Sequence, residues 1–148
     1  FEFYSTEPGG TYQCSLDGSP FAPCTSPFVS GVLADGKHNF QVKAVDAASN
    51  IDKSAAKAKT WTVDTILPVT NITGKPTDRT TSTSATFKFQ SEKNSTFQCK
   101  LDLGPFEACK SGKKYSPLLS GPHTFQVRAT DAAGNVELAP VSYSWKQN

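Results

Sequence analysis

Phe40-Gln41-Val42-Lys43-Ala44-Val45-Asp46-Ala47-Ala48-Ser49-Asn50 returns, little changed, as Phe125-Gln126-Val127-Arg128-Ala129-Thr130-Asp131-Ala132-Ala133-Gly134-Asn135. Apolar and polar residues alternate through each stretch, the period of a strand with one buried face. Each run then breaks at an Asp-Ala-Ala-(Ser/Gly)-Asn turn. Cys14 and Cys24 return at the same offset as Cys99 and Cys109. A repeat of this length is a small domain copied whole. It separates residues present in both copies, which the fold needs, from residues found in one copy only.

Working outward, the second copy runs over 65–148 and the first over 1–64. In the second copy, residues 66–72 read as a linker entering a first strand, with Pro68 at the entry, where no ladder N–H is required. Residues 74–78 read as a turn. Strands are expected at 84–90, 96–101 and 106–109, then a long connection over 110–122. The main strand follows at 123–130, and a last strand ends at Trp145, the counterpart of Trp61. About seven short strands with no helical period predict an all-β protein of two tandem Ig-like antiparallel sandwiches. Phe1-Glu2-Phe3 matches Phe87-Lys88-Phe89, so the first sandwich is expected to lack its N-terminal strand. The chain reads as a cut from a longer tandem array.

The four cysteines form one pair per copy, each ten positions apart. An even number fixed by a repeat points to disulfides and an oxidising compartment. Because each copy must fold alone, the expected bridges are Cys14–Cys24 and Cys99–Cys109. Symmetric placement about Ser19 and Gly104 puts each pair opposite each other on a hairpin, where Asp17-Gly18 supplies a strong turn signal. Such a short closed loop is worth about 3 kcal/mol or less.

Net charge is +2, with acids and bases interspersed. A nucleic-acid footprint needs a clustered basic face. Lys53, Lys57 and Lys59 are the nearest approach to one, and they read as a solvated edge that discourages strand pairing. No run reaches the roughly 18 apolar residues of a membrane span.

The unit Tyr12-Gln13-Cys14-Ser15-Leu16-Asp17-Gly18, Phe21-Ala22-Pro23-Cys24, Gly36-Lys37-His38-Asn39-Phe40 and Asp46 to Asn50, closed by Thr60-Trp61-Thr62-Val63-Asp64-Thr65, resembles the tandem Ig-like repeats of large secreted and surface proteins of bacteria and some protists. Leu103 replaces the turn glycine in the second copy. The resemblance covers nearly the whole chain. It implies stalk, spacer, adhesin or appendage roles, in an extracellular or cell-surface setting. Its partners would be neighbouring repeats of the same parent and other subunits of a filament.

Little else carries chemistry. His38 and His123 precede the main strands without a nucleophile motif around them, and read as structural, so no catalytic residue is expected. Asp46, Asn50, Asp131 and Asn135 read as Asx-type turns. The weaker alternative is a calcium ion at the domain junction, with Asp64 helping; no other cofactor is implied. Asn71-Ile72-Thr73 and Asn94-Ser95-Thr96 are N-glycosylation sequons, Asn94 lying in the more polar loop. The runner-up function is glycan or protein recognition through residues 110–117, where Lys113, Lys114 and Tyr115 differ most from the first copy.

Overall fold

Alternation makes the strands, and burial shows which face won. In the computed structural model, residues 1–54 and 56–148 are described. They form two units, Phe1–Asp64 and Thr65–Asn148. The first contains β1 (Thr11–Leu16), β2 (Ala22–Cys24), β3 (Gly36–Val45) and β4 (Lys57–Val63). The second contains β5 (Asn71–Gly74), β6 (Arg79–Thr80), β7 (Ala85–Gln90), β8 (Thr96–Leu101), β9 (Glu107–Cys109), β10 (Lys113–Tyr115), β11 (Gly121–Thr130) and β12 (Val141–Gln147).

The second unit is an antiparallel sandwich with one short parallel edge. Its sheets run β6-β12-β11-β8-β9 and β10-β7-β5. Along β7, Ala85, Phe87 and Phe89 are buried while Thr86, Lys88 and Gln90 are exposed. Along β11, Phe125, Val127 and Ala129 are fully buried. The two strands meet face to face, with the Phe87 and Phe125 rings stacked at 4.0 Å. Trp145, Leu118 and Cys99 complete the core.

The first unit repeats four of the five strands of one sheet, in the order β2-β1-β3-β4. Opposite it lies a reduced second layer. Phe1 and Phe28 exchange backbone bonds, N to O, at 2.7 and 2.8 Å. Their rings stack on Phe40 at 4.5 and 4.8 Å. One position differs in burial from its counterpart. Phe1 is 39% exposed where Phe87 is 0% exposed.

Three details depart from the sequence reading. Residues 110–122 are not one connection: Lys113–Tyr115 forms β10 and pairs with Ala85–Phe87. Its Lys-Lys-Tyr sequence has no apolar alternation to announce it. Gly74 belongs to β5 rather than to the turn that follows. The cysteines are diagonal, not directly opposite: Cys14 faces Ala22 and Cys24 faces Tyr12, with Cys99 and Cys109 facing Glu107 and Phe97. The reason is the turn. Asp17 and Gly18 both take positive φ, and Ser19 N donates to Leu16 O at 3.0 Å, so the hairpin closes one residue earlier than symmetric placement about Ser19 implies.

Burial sets different stakes for the two tryptophans. Trp145 is 3% exposed, whereas Trp61 is only half-buried. Trp145→Ala should cost about 3–5 kcal/mol, the usual range for a buried large aromatic. Trp61→Ala should cost clearly less. Equilibrium denaturation of both variants, followed by circular dichroism and fitted as two transitions, checks the ranking; equal losses would contradict it.

Candidate functional site

The side chains with the most chemistry are a histidine and an aspartate, brought together in the same way in both units. His38 starts the buried face of β3, two residues before Phe40. Its partner comes from the β1–β2 turn: His38 Nδ1 lies 2.7 Å from Asp17 Oδ2. The other ring nitrogen, Nε2, lies 2.8 Å from the Ala34 carbonyl oxygen. Asp17 Oδ1 accepts the Asn39 N–H at 2.8 Å, and Asp17 N–H donates to Asn39 O at 2.8 Å. The Trp61 ring closes the back of the imidazole, centroids 5.6 Å apart.

The second unit repeats every part. His123 Nδ1 lies 2.9 Å from Asp102 Oδ2, and Nε2 lies 2.8 Å from Leu119 O. Thr124 N–H donates to Asp102 Oδ1 at 2.7 Å. Trp145 lies 5.3 Å from the imidazole. Each imidazole is 10% exposed and each carboxylate about 40%. A carboxylate oxygen and a carbonyl oxygen only accept, so both ring nitrogens must donate, which is the protonated imidazolium. Accordingly the hydrogen bond to Asp17 holds the His38 pKa above the usual histidine value, with the Ala34 carbonyl acting in the same direction. Asp102 does the same for His123. In return the His38 hydrogen bond lowers the Asp17 pKa, helped by the Asn39 N–H. With both nitrogens committed, neither ring is placed to take a proton from a nucleophile. The site can fasten a turn to a strand.

Asp46 and Asp131 are equally committed. Asp46 Oδ1 accepts the Asn50 N–H and Oδ2 accepts Asn50 Nδ2, both at 2.8 Å. Asp131 and Asn135 repeat this at the same distances. Ser49 takes φ 67° where Gly134 takes φ 96°, so the turn imposes the left-handed region on either residue. Asp64 follows β4 and ends the first unit. Among the described residues, no group of three His, Cys, Asp or Glu side chains is placed to hold a metal ion.

Disulfides join Cys14 to Cys24 and Cys99 to Cys109, with Cα–Cα distances of 5.8 and 5.7 Å. Asn94 is exposed in a turn at φ 67°, whereas Asn71 is exposed on β5 opposite Gln90. Lys113 and Lys114 lie on β10, but Tyr115 turns inward, edge-on to Phe87 and Phe125 at 6.4 and 6.1 Å. Burial raises the Tyr115 pKa, with Glu107 adding to it.

Two sites escaped the sequence reading. Glu137 is buried and holds the lead-in to β5: Oε1 accepts Thr70 N–H at 2.9 Å, while Oε2 accepts Thr70 Oγ1 at 2.6 Å and Ala129 N–H at 3.0 Å. The Tyr143 hydroxyl lies 2.8 Å from Pro76 O and 2.6 Å from Asp78 Oδ1. Burial, then Asp78, pushes its pKa up to about 12. Neither site repeats in the first copy, where Asp52 and Lys59 stand instead. The Asp–His pair could have been found, because the same 21-residue separation occurs in both copies.

No protein-family model and no curated protein sequence matches this chain. Among solved structures, it is similar to the fibronectin(III)-like modules of Clostridium thermocellum CbhA, with a TM-score of 0.50 and 17% identity over 99% of this chain and 82% of that one. The fold is fibronectin-III-like. The central fibronectin-III array of RIM-binding protein also matches, with a TM-score of 0.36 and 17% identity over 93% of this chain and 57% of that one. The two disulfides and the fibronectin-III-like fold are consistent with an extracellular domain.

The histidine pairs make stability depend on pH, with a definite sign. A histidine whose pKa is raised by folding contributes fully below its unfolded value, about 6.5. That contribution disappears as pH rises through the higher folded value. Unfolding free energy should therefore fall with pH above about 6.5, and the fall should flatten in a His38→Gln, His123→Gln double variant. Thermal melts from pH 5 to 9 measure this; identical slopes in both proteins would refute it. Asp17 acts in the opposite sense, adding stability above about pH 3.9 that is lost on acidification.

Proposed function

We propose that this chain is a non-catalytic structural spacer from a larger surface protein, adhesin or filamentous appendage, working outside the cell beside neighbouring repeats of the same parent. One observation carries this reading. The histidines, turn aspartates and cysteines that occur in both copies are spent on bonds inside their own unit. His38 and His123 fasten turns to strands, Asp46 and Asp131 close turns, and the cysteines bridge hairpins. A reactive centre needs at least one group left over for substrate. A repeated module whose chemistry is turned inward suits mechanical duty, where each unit adds its own stability to the array.

Stretching single molecules tests the reading. Each bridge spans ten residues. At roughly 3.6 Å per extended residue, the bridge hides about 30 Å of contour per unit. Unfolding steps should lengthen by that amount per unit after reduction. A glycan panel probed with the same protein should show no specific binding, and specific binding at micromolar strength would overturn the spacer reading. After secretion from a eukaryotic host, peptide mapping should find a glycan on Asn94 in preference to Asn71, which lies within a paired strand.

A further inference from the structure

The outer face of the five-stranded sheet in the second unit carries charge of one sign. Register fixes which side chains share that face, because residues two apart on a strand point the same way. Phe125, Val127 and Ala129 of β11 point into the core, so Thr124, Gln126 and Arg128 point out. Across the ladder, Gln98 faces Arg128 and Lys100 faces Gln126. On the other flank Ser144 faces Thr124, Lys146 faces Pro122 and Arg79 faces Lys146. Arg79, Lys100, Arg128 and Lys146 therefore stand on one surface. Among the described residues, no carboxylate of this unit stands with them. Asp102 is held by His123, Asp131 by Asn135 and Asp78 by Tyr143. Glu137 is buried, Glu107 takes the inward register opposite Cys99, and Glu92 lies in the loop between β7 and β8.

Arg128 is held ready for a ligand. Its Nε and Nη2 both donate to Gln98 Oε1, at 2.9 and 2.7 Å. Its guanidinium lies over the Phe106 ring, 4.6 Å from the centroid, and Lys100 Nζ lies over the same ring at 5.6 Å. The side-on edge of the guanidinium is thus taken by Gln98. The end-on edge, one N–H from each terminal nitrogen, points away from it. That edge matches the two oxygens of a carboxylate. The repeat shows that the lysines belong to the second unit alone. Ser15 and Thr62 stand in the first unit where Lys100 and Lys146 stand here, while Lys43 keeps the cation of Arg128. Both units build this sheet, so the added lysines are not what the fold needs.

We infer that this face docks an extended acidic peptide segment of a partner protein, with carboxylates about six residues apart. Strands lie about 4.8 Å apart and rise about 3.4 Å per residue, which places Lys146 and Arg79 about 20 Å from Lys100 and Arg128. An extended segment covers that distance in about six residues, and an even interval keeps both carboxylates on one side of it. One carboxylate takes the end-on edge of Arg128 beside Lys100. The other meets Lys146 and Arg79. Between them the surface is polar, and the Thr124 and Ser144 hydroxyls already bond each other at 2.9 Å. A peptide is favoured over a sugar or a nucleic acid for one reason. Sugar rings and bases lie against open aromatic faces, and the ring on this surface, Phe106, is overlaid by two cations. Complementary charge of this kind selects the partner and speeds the encounter more than it adds affinity. The inference concerns a protein partner and stands whether or not the spacer reading holds.

The test titrates isotope-labelled protein, residues 1–148, with a synthetic peptide Glu-Glu-Thr-Val-Thr-Val-Glu-Glu in low-salt buffer, read by amide resonances. Those of Lys100, Gln126, Arg128 and Ser144 should shift, while those of residues 37–45 stay in place. The same peptide with Gln for every Glu should leave the spectrum unchanged. A Lys100→Gln, Lys146→Gln double variant should keep its thermal midpoint and bind roughly fivefold or more weakly. Arg128→Lys keeps the charge but loses the fork, and should also bind more weakly. At about 1 M salt, where the Debye length is about 3 Å, binding should vanish. Absence of binding at low salt would overturn the inference, as would binding of wild-type strength by the double variant or by Arg128→Lys. Shifts centred on residues 37–45 would overturn it too. So would tighter binding of a sulfated polysaccharide or a single-stranded oligonucleotide than of the peptide, since either would assign the face to another class of partner.

Discussion

One ring stack, Phe87 on Phe125 at 4.0 Å, fixes the second unit. Each phenylalanine sits at the middle of a strand in a different sheet, so the stack sets which face of β7 and β11 is inside. Everything of the same parity then follows, because residues two apart in a strand share a face. Val127 and Ala129 go inward with Phe125. So does His123, two residues before it, at the end of the strand where Trp145 is its direct cross-strand neighbour. The imidazole therefore backs onto the core while its nitrogens still reach Asp102 and Leu119. The histidine latch is a consequence of aromatic packing: shifting β11 by one residue would put His123 on the solvent face.

The first unit has the same stack with less around it. Phe40 faces both Phe1 and Phe28, and Phe1 also touches Trp61. Phe1, at one flank of this cluster, is 39% exposed. Complete burial of a phenylalanine side chain is worth about 1.5–3 kcal/mol, so the exposure of Phe1 forgoes part of that gain. The latch, the Asp46 turn and the bridge are nonetheless complete in this unit. They depend on β1, β2, β3 and the turns that follow them, strands whose counterparts in the second unit are β8, β9 and β11.

Legibility in the sequence tracks the length and alternation of each segment. β7, β8 and β11 were readable because Phe87, Phe97 and Phe125 each stand in a polar–apolar rhythm. β6 was not, because two residues pairing in parallel with β12 leave no period to detect. β10 was hidden because its half-buried residues are Lys113 and Tyr115, with Lys113 Nζ over the tyrosine ring, 5.3 Å from its centroid. The sequence pairs neither histidine with a partner, and Asp17 reads there only as a turn residue. Asp17 and Asp102 do both jobs, since the positive φ that suits them to the turn also aims the carboxylate back across the strand. Single-copy features such as Glu137 with Thr70 escaped notice because they join residues 67 positions apart and no repeat draws attention to them.

The contrast between Glu137 and Asp52 shows why single-copy residues gather where the first strand docks. A buried carboxylate is strongly unfavourable unless hydrogen bonds replace its lost water. Glu137 receives three donors, and two of them come from Thr70. Remove the strand and only the Ala129 N–H remains. Asp52, at the same place in the first unit, lies exposed, and one of its oxygens accepts the nearby Ser54 N–H at 2.8 Å. The Ser54 side chain first, and this backbone bond second, lower its pKa, as expected of a carboxylate satisfied locally. The strand brings donors that make an internal carboxylate tolerable: Thr70 meets both carboxylate oxygens, one with its N–H and one with its hydroxyl.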